Sequence, residues 1–265
     1  MGLLTAAARL AISMVKLVFD HIREAIAMTR IICLANSWKR GERCIAGIEP
    51  GNGRWVRPIS DLPDGQIPKQ MRLLKTMEPA LLDILEIPLA DTGPDFGFES
   101  ENLSVLPGKW QRKGKIKPIE LLEYCSKEKY ILHNEKRYVT VGFMQSLPVE
   151  KRRTLELIKA VNFSVRPIKD RWEASLMTEN GQSLTTTITD PVFVRKLELN
   201  YRPQNMCLVT VSLSMPWRPD DWEEDEEPCW KLIAGVVELP EGKLGVKKSA
   251  GIKTILDDDD EDILF

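Results

Sequence analysis

The sequence predicts a mainly β protein made of two small barrels in tandem. Seventeen prolines and sixteen glycines in 265 residues favour short strands joined by turns over a helical bundle. The apolar residues fall in short runs bounded by Gly, Asn and Pro, which is typical of β-strands. Patterns from the first half of the chain return in the second half, and this predicts two copies of one fold.

The first strands are predicted between residues 31 and 60. Apolar runs at 31–34 and 44–48 flank a polar, basic link. A turn with the sequence Gly51-Asn52-Gly53 then leads into an apolar stretch at 55–59. Because runs this short suit strands better than helices, we expect a meander of three strands.

The remaining elements are predicted from the same signals. Pro118 is expected at the first position of a short helix, where its missing N–H costs nothing. The dipeptide Asn180-Gly181 between two alternating segments predicts a β-hairpin. Further strands are predicted at 81–89, at 138–143, at 155–168 as a strand pair, and at 172–178, 183–189, 206–213 and 230–239.

The internal repeat consists of a strand, a basic loop with a tryptophan, and a second strand with Ala-Gly at its centre. Gly47 and Gly235 occupy the Ala-Gly positions and are expected to mark a bend or bulge, as barrel corners require. The matching stretches are 33–49 with 207–238, and 56–59 with 165–168.

Composition argues against a metal site and against an enzyme. The five cysteines are widely spaced without a C-x-x-C pair, and only two histidines are present, so buried thiols in a reducing cytoplasm are expected. No His-Asp-Ser arrangement and no phosphate-cradling glycine loop is found, so we expect no catalysis and no cofactor. Asp190 is either a lone acid beside a cleft or, as is commoner before proline, the cap of a turn.

Four regions are predicted along the chain. They are an N-terminal extension at 1–27, a first barrel at 28–148, a second barrel at 149–245 and a flexible acidic tail at 246–265. The extension has a helix-like apolar pattern whose uninterrupted stretch is too short to span a bilayer, so no membrane partner is expected. The extension is either an amphipathic docking helix or the result of a start of translation placed too early, and Met28, directly before the first strand, favours the second interpretation.

Five separated motifs occur in order along the chain. They are CLANS at 33–37, RCIAG at 43–47, WVRPIS at 55–60, TDPVF at 189–193 and CWKLIAG at 229–235. With these motifs the sequence resembles the bacterial dual OB-domain proteins. The resemblance covers about residues 28 to 240 and implies two OB-like barrels in tandem with a role in nucleic-acid recognition.

Cations interleaved with aromatic residues predict a surface for a nucleic-acid strand in the first barrel. Barrels of this kind bind oligonucleotides across two strands and the flanking loops, and bases stack on aromatic rings. The alternative is that Trp55 belongs to the core and the arginines are merely solvated. The second barrel suits phosphate less well, because residues 220–227 are acidic. The predicted binding residues are Trp38, Lys39, Arg40, Arg43, Arg54, Trp55, Arg57, Trp110, Arg112 and Lys113.

The C-terminus predicts a protein-binding tip. The net charge of the chain is −2, and removing the six acids at 257–262 leaves the rest at +4. This end resembles the tip of bacterial single-stranded-DNA-binding proteins, which is acidic and ends in Ile-Pro-Phe; here Leu264 replaces the proline. The alternative is a disordered solubilising tail. The predicted partner-binding residues are Asp259, Asp260, Asp262, Ile263, Leu264 and Phe265.

These patterns together favour a cytoplasmic, non-catalytic protein that binds nucleic acid, single-stranded DNA or RNA, and recruits a protein partner through its tip. The alternative is a protein-interaction adaptor, or an accessory subunit of a nucleic-acid-processing or phage-defence complex.

Overall fold

Two six-stranded sheets make up the fold in a computed structural model of the protein. The structure describes residues 28–39, 41–220, 222–223 and 225–239. The N-terminal extension and the acidic tail therefore lie outside the described residues.

The first sheet takes its strands from the first 115 residues. Its spatial order is β5-β3-β2-β1-β4-β6, and the pairing of β3 with β5 is parallel. A four-residue helix, α1 (Lys69–Arg72), lies between β3 and β4. The strands are β1 (Met28–Lys39), β2 (Glu42–Ile48), β3 (Trp55–Ile59), β4 (Asp83–Pro88), β5 (Asn102–Ser104) and β6 (Gln111–Lys115).

The second sheet has the spatial order β10-β9-β8-β11-β12-β7. Helix α2 (Val141–Ser146) follows β7, and helix α3 (Pro191–Glu198) lies between β10 and β11. Short 3₁₀ helices lie at Pro118–Tyr124, Ile131–His133 and Val149–Lys151. The strands are β7 (Tyr138–Thr140), β8 (Leu155–Ile168), β9 (Arg171–Thr178), β10 (Ser183–Thr187), β11 (Cys207–Leu213) and β12 (Pro228–Glu238).

Each sheet curls into a barrel in which one edge strand meets the second strand from the opposite edge. In the first, an antiparallel bridge between Leu89 and Val105 joins the end of β4 to the end of β5. In the second, a parallel bridge between Ile188 and Ile233 joins the end of β10 to β12. Both sheets thus follow one path, in which a three-strand meander is closed by a parallel third and fifth strand. The predicted pair of OB-like barrels is confirmed.

The duplication is real, but the sequence repeat that suggested it joins strands that are not equivalent. By topology β1 and β2 correspond to β8 and β9, whereas the repeated motif matches β1 and β2 to β11 and β12. The second repeat matches β3 to β8. The two motifs therefore reflect a shared local need and do not mark equivalent positions.

That local need is close backbone packing at Gly47 and Gly235. A Cβ atom at Gly47 would lie closer than 3.0 Å to the carbonyl oxygen of Ile32, and one at Gly235 would lie as close to that of Leu34. The register of the paired strands shifts beside both glycines. In the β1–β2 pair the shift lies between Cys33 and Ala35, and in the β11–β12 pair it lies opposite Gly235. The expected bulges are confirmed.

An apolar seam joins the barrels into one unit. It is formed by the outer faces of β1 and β2 against β8, β11 and β12, and Trp55 packs half-buried at its edge. Burial of this much apolar surface holds the two barrels in a fixed relation. The buried seam residues include Ile32, Leu34, Ile48, Leu121, Leu157, Leu208, Val237 and Leu239, with Ala35, Ala46, Leu155 and Ala234 beside them.

Two predicted strands differ in the structure. Residues 138–143 form a strand only as far as Thr140, whose hydroxyl accepts the Phe143 N–H and caps helix α2. Residues 155–168 are one long strand, β8, with a bulge between Val161 and Ser164 where a turn was expected. The Asn180-Gly181 hairpin and the short helix at Pro118 are confirmed.

The predicted domain boundary between residues 148 and 149 remains a prediction. Strand β7 precedes that boundary and nevertheless pairs with β12 of the second sheet. The connection between the barrels therefore contributes a strand to the second one.

Candidate nucleic-acid interface

A groove between the two barrels exposes one tryptophan from each. Its volume is about 280 Å³, and Trp38 and Trp217 line it together with Lys39, Ser214 and Met215. Trp38 is 53% exposed and Trp217 is 61% exposed, although tryptophan is usually well buried. We call this the tryptophan groove.

Trp38 is held in a fixed orientation. It lies near the end of β1, opposite Arg43 of β2. Its backbone N–H donates to the Thr189 carbonyl of the second barrel at 3.0 Å. The Arg43 guanidinium stacks on the indole, 4.1 Å from the ring centroid. One face of the ring is therefore supported by the protein.

Arg43 itself is poorly placed to reach a phosphate. Its side chain is 13% exposed and lies 3.6 Å from the Glu78 carboxylate, and burial lowers its pKa. The sequence predicted Arg43 as a phosphate contact, whereas the structure places it as a platform beneath Trp38.

The Trp217 backbone is anchored from two sides. Its N–H donates to the Pro228 carbonyl at 3.0 Å, and its own carbonyl accepts the Trp230 indole N–H at 3.0 Å. Trp230 in turn packs against Tyr138 and Trp222. The exposed ring therefore projects from a rigid aromatic base.

Among the described residues that line the groove, Lys39 carries the positive charge. Its amine donates to the Asp64 carbonyl at 2.7 Å, which holds the charge beside Trp38. Arg40, the next residue of the predicted surface, lies outside the described residues, as do the six partner-binding residues of the tail.

The sequence placed Arg57 on the surface, and the structure corrects this. The side chain is 2% exposed and pairs with Glu99 and Glu101, at 2.8 Å from the latter. It also donates to the Thr154 hydroxyl at 2.9 Å. Burial alone would lower the pKa of Arg57, but the two carboxylates raise it. Arg57 therefore links the barrels internally.

Trp110 is likewise buried. It packs in the core of the first barrel with Ile31, Val56 and Leu85, beyond the reach of a bound strand. A tryptophan inside a run of lysines and arginines looks exposed in sequence, but here the cations project from the adjoining edge strand while the indole turns inward.

Arg54 and Trp55 lie in a different cleft. Arg54 binds the Glu49 carboxylate at 2.8 and 3.0 Å, which lowers the pKa of Glu49. A cavity of about 380 Å³ is lined by Arg54 and Trp55 together with Arg152 and Arg153 of the second barrel. These residues form a second basic cleft, separate from the tryptophan groove.

Arg112 and Lys113 occupy the outer edge strand β6. Both are exposed, and Lys113 pairs with Glu86 at 2.8 Å while Arg112 lies 3.8 Å from Asp83. Lys115 continues this basic edge towards the seam. The edge adds positive charge near the seam without lining the tryptophan groove.

Sequence reasoning missed Trp217 as a site residue. The signal was present, because the repeated motif paired the Trp38 loop with the Trp217 loop. The structure shows why both loops carry tryptophan, since the two rings line the same groove.

Asp190 is a cap, as one of the two interpretations of the sequence predicted. Its Oδ1 accepts the N–H groups of Val192 and Phe193 at 3.0 and 3.1 Å, so it caps helix α3. Within the described residues, no group of three or more His, Cys, Asp and Glu side chains could hold a metal ion. The described part of the chain also contains no helix long and apolar enough to cross a membrane.

One known domain family agrees with this architecture. No curated protein matches the chain. The crystal structure of the tetrameric p202 HIN2 is similar over 81% of this chain and 94% of that chain, at 6% identity and a TM-score of 0.29, a score at which the likeness carries no argument. The model of the dual OB-containing domain matches residues 29–236. The chain therefore belongs to the family of proteins that contain the dual OB domain.

Proposed function

We propose that this protein binds single-stranded nucleic acid, DNA or RNA, in the tryptophan groove. A dual OB fold is compatible with nucleic-acid binding. The observation that carries the proposal is that Trp38 and Trp217, one from each barrel, are both more than half exposed in one groove.

Exposed indoles in a groove suit unpaired bases. Each base that stacks on an aromatic side chain contributes about 1–3 kcal/mol, whichever base it is. A duplex keeps its bases stacked internally and offers no free faces. The groove therefore favours a single strand over a duplex.

The charges favour one path for the phosphates. Lys39 lies on the side of the first barrel, and β6 carries Arg112, Lys113 and Lys115. In the second barrel, Glu227 precedes Pro228, whose carbonyl accepts the Trp217 N–H, and Asp225 contacts Arg218, so acidic residues near Trp217 repel phosphate. We therefore expect the strand to place its backbone along the first barrel and its bases towards Trp217.

The proposal includes three points that rest on the sequence. The protein acts without catalysis and in the cytoplasm, where its five free cysteines stay reduced. Its C-terminal tip recruits a protein partner, because a terminal Phe265 can enter an apolar pocket while its carboxylate meets an arginine. Removal of Ile263, Leu264 and Phe265 is expected to abolish partner capture and to preserve oligonucleotide affinity.

The test is fluorescence anisotropy of a labelled oligothymidylate with the full chain at two salt concentrations. We expect affinity that falls steeply with salt, and a duplex of the same length that competes poorly. A chain shortened after Leu256 should bind more tightly if the acidic tail competes with the strand. Affinity that is absent, or that ignores salt, would overturn the proposal and favour the protein-interaction adaptor.

A further inference from the structure

A third cleft, distinct from the tryptophan groove and from the basic cleft at Arg54, opens on the seam. Its volume is about 350 Å³, within the range of roughly 300–1,000 Å³ usual for small-molecule sites. Asn36 and Asp190 line it, and their chain neighbours Ser37 and Thr189 line the tryptophan groove. We call this cleft the seam cavity.

The walls of the seam cavity are mostly apolar. Small-molecule sites combine such walls with a few polar groups that fix the orientation of the ligand. The seam cavity has this composition, with Asn36, Asp190 and Glu238 as acceptors. The apolar lining residues are Leu81, Leu82, Pro118, Val192, Phe193, Val236 and Val237.

Asn36 has an unused acceptor. The residue is 4% exposed, and its amide nitrogen donates to the Pro79 carbonyl at 2.7 Å. Its Oδ1 atom is buried and has no hydrogen-bond partner among the residues that the structure describes. A buried acceptor without a partner destabilises the fold, and a donor on a ligand would supply the missing hydrogen bond.

Asp190 offers a second acceptor. The side chain is 2% exposed, and beyond its capping bonds its Oδ2 accepts a long hydrogen bond from the Val236 N–H at 3.3 Å. A carboxylate can accept about four hydrogen bonds, so part of its capacity is unused. A ligand for this cavity should therefore present two hydrogen-bond donors.

Two cations flank these acceptors from opposite barrels. Lys115 of β6 and Lys196 of α3 both line the seam cavity and are exposed. An anionic group on the ligand would meet both amines. A ligand that fits therefore combines two hydrogen-bond donors with an anionic group such as a phosphate.

Among the nucleobases, guanine has the matching edge. Its ring N–H and its 2-amino group are adjacent donors, whereas uracil and thymine place carbonyl acceptors on both sides of a single N–H. We propose that the seam cavity binds a guanine base, with Asn36 and Asp190 accepting its two donors and with Lys115 and Lys196 facing its phosphate. The base comes either from a free guanine nucleotide or from an unpaired guanine in a bound strand.

Calorimetric titration of the full chain with GMP, IMP and UMP tests the chemistry. IMP lacks only the 2-amino group, so we expect it to bind at least tenfold more weakly than GMP, and UMP not to bind. Asp190→Asn keeps a good helix cap and turns an acceptor into a donor, so GMP affinity should fall at least tenfold. Lys196→Ala should weaken GMP several-fold, whereas Arg195→Ala, on the same helix but outside the cavity, should not.

Oligothymidylates with one central guanine or inosine distinguish the two sources of the base. Tighter binding of the guanine strand, lost with inosine and in Asp190→Asn, assigns the cavity to a strand. GMP binding without that preference assigns it to a free nucleotide. Equal affinity for GMP, IMP and UMP, or no binding of GMP together with no guanine preference, overturns the proposal. Failure of plain oligothymidylate to bind counts against the tryptophan groove alone, because the GMP titration does not require it.

Discussion

The backbone N–H of Trp38 donates to the Thr189 carbonyl at 3.0 Å and so connects the end of β1 to the second barrel. Trp38 and Thr189 line the tryptophan groove, and Asp190, which follows Thr189, lines the seam cavity. One backbone contact between the barrels therefore positions residues of both clefts.

Gly235→Ala should destabilise the protein. The new Cβ would lie too close to the Leu34 carbonyl oxygen across the seam, and overpacking of this kind costs about 1–3 kcal/mol. Urea denaturation measures the loss. Gly114→Ala is the matched control, because a Cβ there meets only the Ile84 side chain at 3.8 Å, and equal stability of the two variants would contradict the close packing.

Arg57→Met should cost about 3–5 kcal/mol of stability at neutral pH, because it leaves the Glu99 and Glu101 carboxylates buried without their cation. Burial raises the pKa of Glu101 and the Arg57 charge opposes this rise, so the pKa should be higher still in the folded variant. Protonation then favours folding more in the variant than in the wild type, and the deficit should shrink as the pH is lowered. Urea denaturation at two pH values measures it, with Arg112→Met as a surface control. A small deficit, or one that grows in acid, would argue against the buried cluster.

Lys231 should make stability depend on alkaline pH. Its amine is buried and donates to Asn134, at 2.7 Å to the carbonyl and 3.0 Å to the side-chain oxygen, and burial lowers its pKa from 10.5 to about 8. Between these values the unfolded chain binds more protons than the folded one, so stability should rise with pH.

The Lys231→Met variant isolates this effect from the cysteines. The stability of the wild type relative to the variant should increase by up to about 1.4 kcal/mol per pH unit between pH 8 and 10.5. Urea denaturation across this range measures the difference. A difference that stays constant with pH would show that the amine titrates normally.

Arg43 and Lys39 should affect oligonucleotide binding differently. Arg43→Met removes the platform under Trp38 and should lower affinity several-fold without changing the salt dependence. Lys39→Met removes a phosphate contact and should reduce the slope of log K against log salt by about 0.7. Anisotropy over a salt series separates the two, and a reduced slope in Arg43→Met would return that arginine to the role of a phosphate contact.

Much of the fold could be predicted from local signals. Alternating apolar residues, the Asn180-Gly181 turn and the special glycines Gly47 and Gly235 act over a few residues, so their patterns are readable in sequence. The burial of Arg57 could not be read this way, because its partners Glu99 and Thr154 lie 42 and 97 residues away.

The candidate site was only partly predictable for the same reason. Trp38 and Lys39 were selected from a basic, aromatic stretch, and both line the groove. Trp217 was visible only as a repeat of the Trp38 motif, because nothing local shows that two distant loops meet across a seam. Trp110 was wrongly placed at the surface, since the cations around it say nothing about the direction of the indole.

The most direct test of the central claim is a mutant cycle on the two exposed tryptophans. Anisotropy with oligothymidylate is measured for the wild type, Trp38→Ala, Trp217→Ala and the double variant, with Phe143→Ala as an exposed aromatic control outside the groove. We expect each single change to cost about 1–3 kcal/mol of binding, the double variant to lose most of the affinity, and the control to bind normally. Unchanged affinity in the double variant, with its fold intact by circular dichroism, would contradict the account.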